Sequence, residues 1–173
     1  MNGTIFIETQ KFKQTLVFSI LFSVILLMTT LFLVQYYFHQ KVGNNPISNN
    51  GYLIIITILI FICVLFYFTK LQTQISETGI AYKFLPFNLS FIEFGWDEIE
   101  SICIRNYDPL LEFGGWGFRY SLKYGVAVTT SGSVGIQMIL KNKKRVLIGT
   151  QNESGVLIAL KQIALQEKVK VKI

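Results

Sequence analysis

The chain has 173 residues, 51% of them hydrophobic and 15% charged, with 16 Lys and Arg against 10 Asp and Glu and a formal net charge of +6. Thirteen basic and nine acidic residues lie after Thr69, so the C-terminal part is only modestly basic, and nothing in its charge points to a nucleic-acid partner. Two cysteines and one histidine leave no metal framework; Cys63, inside an apolar run, and Cys103, in an expected strand, read as apolar filler.

The first 14 residues form a short tail carrying Lys11 and Lys13. Two uncharged apolar runs follow, Thr15 to Phe38 and Tyr52 to Thr69, roughly 36 and 27 Å long as helices against a hydrocarbon core of about 30 Å. Residues 15–69 are therefore expected to be a two-span membrane hairpin. A cleaved signal peptide is the competing reading of the first run, but the run is too long and ends in Gln35, Tyr36, Tyr37 and Phe38 without a small-residue cleavage site. Those aromatics, with Tyr52, Phe66, Tyr67 and Phe68, suit interfacial anchors. Neither run holds an ionisable residue, which argues against a pump or channel acting alone. Ser19 and Ser23 have the spacing of a small-residue helix contact, a weak signal.

Lys11 and Lys13 precede the first span and Lys70 follows the second, whereas the connecting loop carries only Lys41. The positive-inside bias then places both termini in the cytoplasm, with the spans in a cell's inner membrane. The Asn-x-Ser/Thr sequons at Asn2, Asn88 and Asn152 become coincidental.

From residue 70 to 173 the periodicity shortens to β-rich segments broken by Gly and Asn. In Val134 to Leu140, Val134, Ile136, Met138 and Leu140 alternate onto one face, as a half-buried antiparallel strand requires. Strands are also expected over Val126 to Thr130 and Arg145 to Thr150. Thr150 and Glu153 have capping-box spacing and predict a C-terminal helix from about Gln151, with Val156, Leu157, Leu160, Ile163 and Ala164 as its apolar stripe. Ile158 and Leu165 fall outside that stripe as a minor second contact. The part from about Leu71 onward is expected to fold independently.

Six or seven short antiparallel strands closed by one helix resemble the pleckstrin-homology-like (PH-like) barrel or sandwich. FGWDEIESICI, with Trp96, Asp97, Glu98 and Ile99, resembles an element of bacterial membrane-anchored PH-like domains, and ISETGI resembles their opening hairpin. RVLIGTQNESGVLIAL resembles the final strand and helix, and FIETQKF the start of small uncharacterised two-span bacterial proteins that carry such a domain. The resemblance implies a fold and an anchoring mode, not an activity. Lipid-binding PH domains gather Lys and Arg around the first turn, where this chain has Glu77, Thr78 and Gly79, so a phosphoinositide site has no residues to carry across.

Three phrases stand out in the soluble part. GGWGFR sets Trp116 and Arg119 among three glycines; the indole is a contact residue or, the favoured reading, a plug over one end of the core. KNKKR places Lys141, Lys143, Lys144 and Arg145 at a hairpin tip, either against anionic lipid or as a solvated turn, and the alternating tail Lys168 to Ile173 is open to the same lipid contact or to disorder. Asp97, Glu98 and Glu100 read as a solvated strand face. His39, the only histidine, ends the first span, so no Ser-His or Cys-His pair forms in the soluble part; no catalytic residue, cofactor site or metal site is expected.

The chain is therefore expected to be a non-enzymatic membrane anchor presenting a PH-like domain to a protein partner, with homo-oligomerisation open. The alternatives are an anionic-lipid sensor and, least favoured, a subunit of a membrane enzyme or transport complex.

Overall fold

The computed structural model describes residues 3–12, 15–39, 43–165 and 171–172. Lys13, Lys41 and Lys168, invoked above, lie outside the described residues, as does most of the C-terminal tail. The chain divides into two compact units, and the first surprise is their bookends: one unit is residues 14–68, while the other combines the N-terminal segment with everything from Thr69 onward.

The inner unit is a helical hairpin of α1 (Thr15–Phe38) and α2 (Asn49–Phe68), both long and apolar enough to cross a membrane. The second helix begins earlier than its apolar run because Ser48 caps it: the Ser48 hydroxyl accepts the Gly51 amide at 3.1 Å. Gln35 of α1 donates to the Ile47 carbonyl (2.9 Å) and to Asn49 Oδ1 (2.7 Å), pinning the start of α2. Tyr52 is buried there, against Phe32. The serine pair serves its own helix, since Ser23 donates back to the Ser19 carbonyl.

The β unit opens with β1 (Thr4–Lys11), where a tail was expected. β1 pairs antiparallel with β2 (Lys70–Ser76), Thr9 opposite Gln72 and Lys11 opposite Lys70, and the meander continues through β3 (Gly79–Leu85) and β4 (Ile92–Gly95). Glu77 and Thr78 make the β2 to β3 turn. Gly79 is required after it, because a Cβ there would collide with the Phe94 carbonyl of β4.

A second sheet is ordered β10-β5-β8-β9-β7-β6. It contains β5 (Ile99–Asn106), β6 (Gly117–Ser121), β7 (Gly125–Thr129), β8 (Val134–Leu140), β9 (Arg145–Gly149) and a two-residue β10 (Val171–Lys172). A short helix, α3 (Pro109–Phe113), precedes β6. The count exceeds the six or seven strands expected, and two pairs, β7 with β9 and β10 with β5, are parallel, so the expectation of a wholly antiparallel domain is corrected. A parallel pair needs a crossover, which the intervening β8 supplies. Val171 and Lys172, in the tail, hydrogen-bond beside Ile102 and Cys103.

Leu71 and Ile75 of β2, Ile80 and Phe84 of β3, Ile102 of β5, and Ile136, Met138 and Ile148 of β8 and β9 fill the main core. Ile136, Met138 and Leu140 face this core as their alternation predicts, but Gly135 and Gln137 are buried as well, so β8 is a central strand buried on both faces and the expectation of a half-buried strand is corrected. The core is closed by α4 (Glu153–Leu165), which buries Val156, Ala159, Leu160 and Ile163 and leaves Ile158 and Leu165 exposed. Its N-cap is Asn152, whose Oδ1 accepts the Gly155 amide at 2.9 Å; the expected Thr150–Glu153 capping box does not form. Thr150 instead donates to Glu8 Oε2 (2.7 Å) and accepts the Asn152 amide. Replacing Asn152 by Ala is expected to lower the unfolding free energy by about 1 kcal/mol in denaturant titration, the usual cost of a lost cap.

The unit that holds the chain from Leu71 onward also includes β1, which the sequence reading left in a separate tail. Ile5 and Phe6 of β1 pack on the main core. Gln10, only 2% exposed, donates to the Gly149 carbonyl (2.7 Å) and accepts from Thr130 (3.0 Å), while Glu8 also accepts the Gln151 amide (2.8 Å). Phe12 donates its amide to the Thr69 carbonyl, so the strands flanking the hairpin remain paired up to its root.

Candidate interaction groove

The two tryptophans differ sharply in burial. Trp96, in the turn between β4 and β5, is 5% exposed in the main core and its indole N–H donates to the Ser76 carbonyl at 3.0 Å. Trp116 is half-buried and outside both core clusters, so its expected role as a plug is corrected. Its indole donates to the Gly132 carbonyl (2.9 Å), and its own carbonyl accepts from exposed Arg119. The main core is already covered by Trp96 and α4, which leaves Trp116 to link two surface loops.

Between β5 and β8 the chain makes an excursion through α3, β6 and β7 that carries much of the exposed apolar surface of the β unit. Asp108 caps α3 by accepting the Leu110 and Leu111 amides, Pro109 opens it, and Gly114, at φ 72°, ends it in the left-handed region. Arg105 braces this helix through two bonds to Glu112 (3.0 and 2.7 Å) and a third to Gln137 (3.1 Å), and its guanidinium lies over the Tyr124 ring. These bonds hold the Glu112 carboxyl below its usual range. The lowered value means that Glu112 contributes stability above the ordinary glutamate range and loses it as pH falls through the folded value. Glu112→Gln is therefore expected to flatten the acid limb of a stability–pH profile while leaving its alkaline limb in place.

The braced excursion displays Leu111 at 86% exposure, Leu122 at 95%, and Leu110, Phe118 and Tyr120 above half. Burial pushes the Tyr107 phenol beneath it upward, and Tyr107, Phe113, Ala127 and Leu147 form a small second core.

Both sheets present an edge strand here: β4 ends the first and β6 the second. A groove of about 700 Å³ has Ile92 and Phe94 of β4 on one side and Phe118 of β6 with Val126 of β7 on the other. Its rim is of mixed sign, with Glu93, Asp97 and Glu98 facing a lining that also includes Lys141 and Lys144. Residues at an edge strand keep backbone amides and carbonyls available to an added strand.

The cationic turn is placed beside this groove, and much of its charge is committed. The Lys143 ammonium ion-pairs with Glu100 at 2.7 Å and the Arg145 guanidinium donates to the Lys123 carbonyl, while the backbone amide of Lys141 bonds the Glu98 carbonyl and leaves its side chain uncommitted by that bond. A second concavity of about 580 Å³ brings Lys123 together with Lys143, Lys144 and Arg145, around exposed Tyr120 and Leu122. Lys123, Phe118, Tyr120 and Leu122 were not legible as site residues, although Arg119 of β6 was named. Their signal was present as the acid-free, aromatic-rich run from Gly114 to Tyr124, but a Gly-rich segment of that length reads as a loop.

No curated protein and no solved structure matches the chain. A family model does, and its match runs from before β1 through both helices to within one residue of the end of α4, taking in both units. Residues 1–164 match the model of the family of unknown function DUF6141, and the chain belongs to that family.

Proposed function

We propose that this protein is a non-enzymatic, membrane-anchored adaptor of bacterial type, in which a PH-like domain takes up a segment of a partner protein in the groove between β4 and β6. The observation that carries the reading is that groove: two edge strands face it, its walls are apolar, and its rim carries both signs of charge. An extended polypeptide satisfies all three, by adding a strand at an edge and pairing its own charges with the rim.

The PH-like assignment draws support from the order of elements. With the α3–β6–β7 excursion and β10 set aside, a four-stranded antiparallel meander is followed by the antiparallel trio β5, β8 and β9 and a closing helix. The anchor is placed in the inner membrane with both termini cytoplasmic. Lys11, Lys13 and Lys70 against Lys41 favour that orientation, and the pairing of β1 with β2 suits a hairpin that leaves and returns on one side.

A lipid-sensing role for Lys141 to Arg145 is less well supported, because Lys143 and the Arg145 side chain already have partners and three acids line the neighbouring groove. Site-specific photocrosslinking in intact cells separates the readings. A photoreactive residue at Phe118 is expected to give a discrete protein adduct that is lost with Ile92→Asp, while one at Ile158 gives none. Lipid adducts alone at Phe118, or the same adducts from both positions, would contradict the adaptor reading.

A further inference from the structure

Phe87 and Leu89, in the loop joining β3 to β4, are 65% and 75% exposed. The loop is not loose: Phe87 stacks on buried Phe84 at 5.6 Å, and the Asn88 amide donates to the Phe84 carbonyl at 2.7 Å. Two large apolar side chains held out on a fixed loop call for a cover.

The strand register indicates which cover is at hand. β3 ends with Leu85 opposite Lys70, and Lys70 is flanked on its other side by Lys11. Thr69 alone separates Lys70 from the last residue of α2, so Lys70 lies within about 7 Å of that helix end at the maximal reach of about 3.6 Å per residue. A neighbouring strand is about 5 Å away, so chain connectivity alone keeps Leu85 within about 12 Å of the residue at which α2 ends. The loop's chemistry agrees with a lipid neighbour. Residues 78–92 contain no acid, and their one cation, Lys83, sits over the Phe91 ring at 5.7 Å. An apolar and aromatic tip with a nearby cation is the composition favoured at the lipid–water boundary.

We propose that Phe87 and Leu89 insert into the lipid–water interface of the leaflet at which the hairpin begins and ends, giving the β unit a contact with the bilayer beyond its covalent tether. This rests on the reading of α1 and α2 as membrane spans, and the test separates the two. The full chain is reconstituted in phosphatidylcholine–phosphatidylglycerol vesicles as Phe87→Trp, Leu89→Trp, Leu122→Trp and Ile58→Trp variants, and the emission of the parent chain, with Trp96 and Trp116, is subtracted. Spin labels are placed either near the head group or deep in the acyl chain. The expected result is loss of Phe87→Trp and Leu89→Trp emission with the shallow label, loss of Ile58→Trp emission with the deep label, and no loss at Leu122→Trp. Quenching of Ile58→Trp without quenching at 87 and 89 overturns the loop contact and leaves the spans standing. Absence of quenching at Ile58→Trp removes the spans and the loop contact together.

Discussion

A chain beginning at Thr69 is expected to fail to fold, and joining residues 3–12 to it through a short polar linker in place of the hairpin is expected to restore a cooperative unfolding transition. The physical reason lies in what β1 supplies. Ile5 and Phe6 contribute apolar burial, where a fully buried side chain of this size is worth about 1.5–3 kcal/mol. Without β1, the Gly149 carbonyl loses Gln10, and Thr130 and Thr150 lose their acceptors on Gln10 and Glu8. Each of these hydrogen bonds contributes about 0.5–1.5 kcal/mol net. The edge of β2 is bared as well. Together these losses rival the 5–15 kcal/mol that typically holds a whole domain folded. The linker can be short because Phe12 and Thr69 already share a backbone hydrogen bond of 3.2 Å. Circular dichroism and denaturant titration of both chains decide the matter; a chain from Thr69 with the midpoint of the joined chain would make β1 dispensable.

Trp96→Ala is expected to destabilise that joined domain by about 3–5 kcal/mol, the range for truncating a buried aromatic. It opens a space beside β2 and strips the Ser76 carbonyl of its indole donor. Trp116→Ala removes one exposed hydrogen bond to Gly132 from a half-buried ring and is expected to cost about 1 kcal/mol. Equilibrium unfolding of the two variants side by side checks the assignment. Equal losses, or a larger loss at Trp116, would return Trp116 to the core.

The pair of long apolar helices was legible because its signal is one-dimensional: an uncharged apolar run of helical length needs no knowledge of its neighbours. The stripe of α4 was legible because that helix buries one face, so burial is written as a period; Val134 to Leu140 is buried on both faces, and its apolar alternation marked only the side toward the main core. β1 was not legible, since its inward positions include Glu8 and Gln10, whose polarity is met by Thr150, Gln151, Gly149 and Thr130, more than 100 residues away. A strand whose buried face is polar has no apolar alternation to read. The helix start was misassigned for a related reason: Thr150 and Asn152 are both capping residues by type, and the choice fell to Asn152 because Thr150 was taken by Glu8. The groove was hidden because it is assembled from edges, with Ile92 and Phe118 each ordinary in its own segment. Only the sheet order, which sequence reasoning did not supply, sets β4 and β6 at its walls.

One β unit has its first strand separated from its second by a hairpin of two long apolar helices, and a pair of cysteines reports on that directly. In the full chain with Cys63 and Cys103 replaced by Ser, Thr9→Cys with Gln72→Cys places the thiols on register partners. Mild oxidation in membranes is expected to close an intramolecular disulfide, since paired strands bring Cα atoms to the separation of about 4.5–5.5 Å that a disulfide accepts. Ile7→Cys with Lys70→Cys, four positions out of register, is expected to stay reduced. Failure of the 9/72 pair to close, or equal closure of both pairs, would contradict the pairing of β1 with β2 around the hairpin.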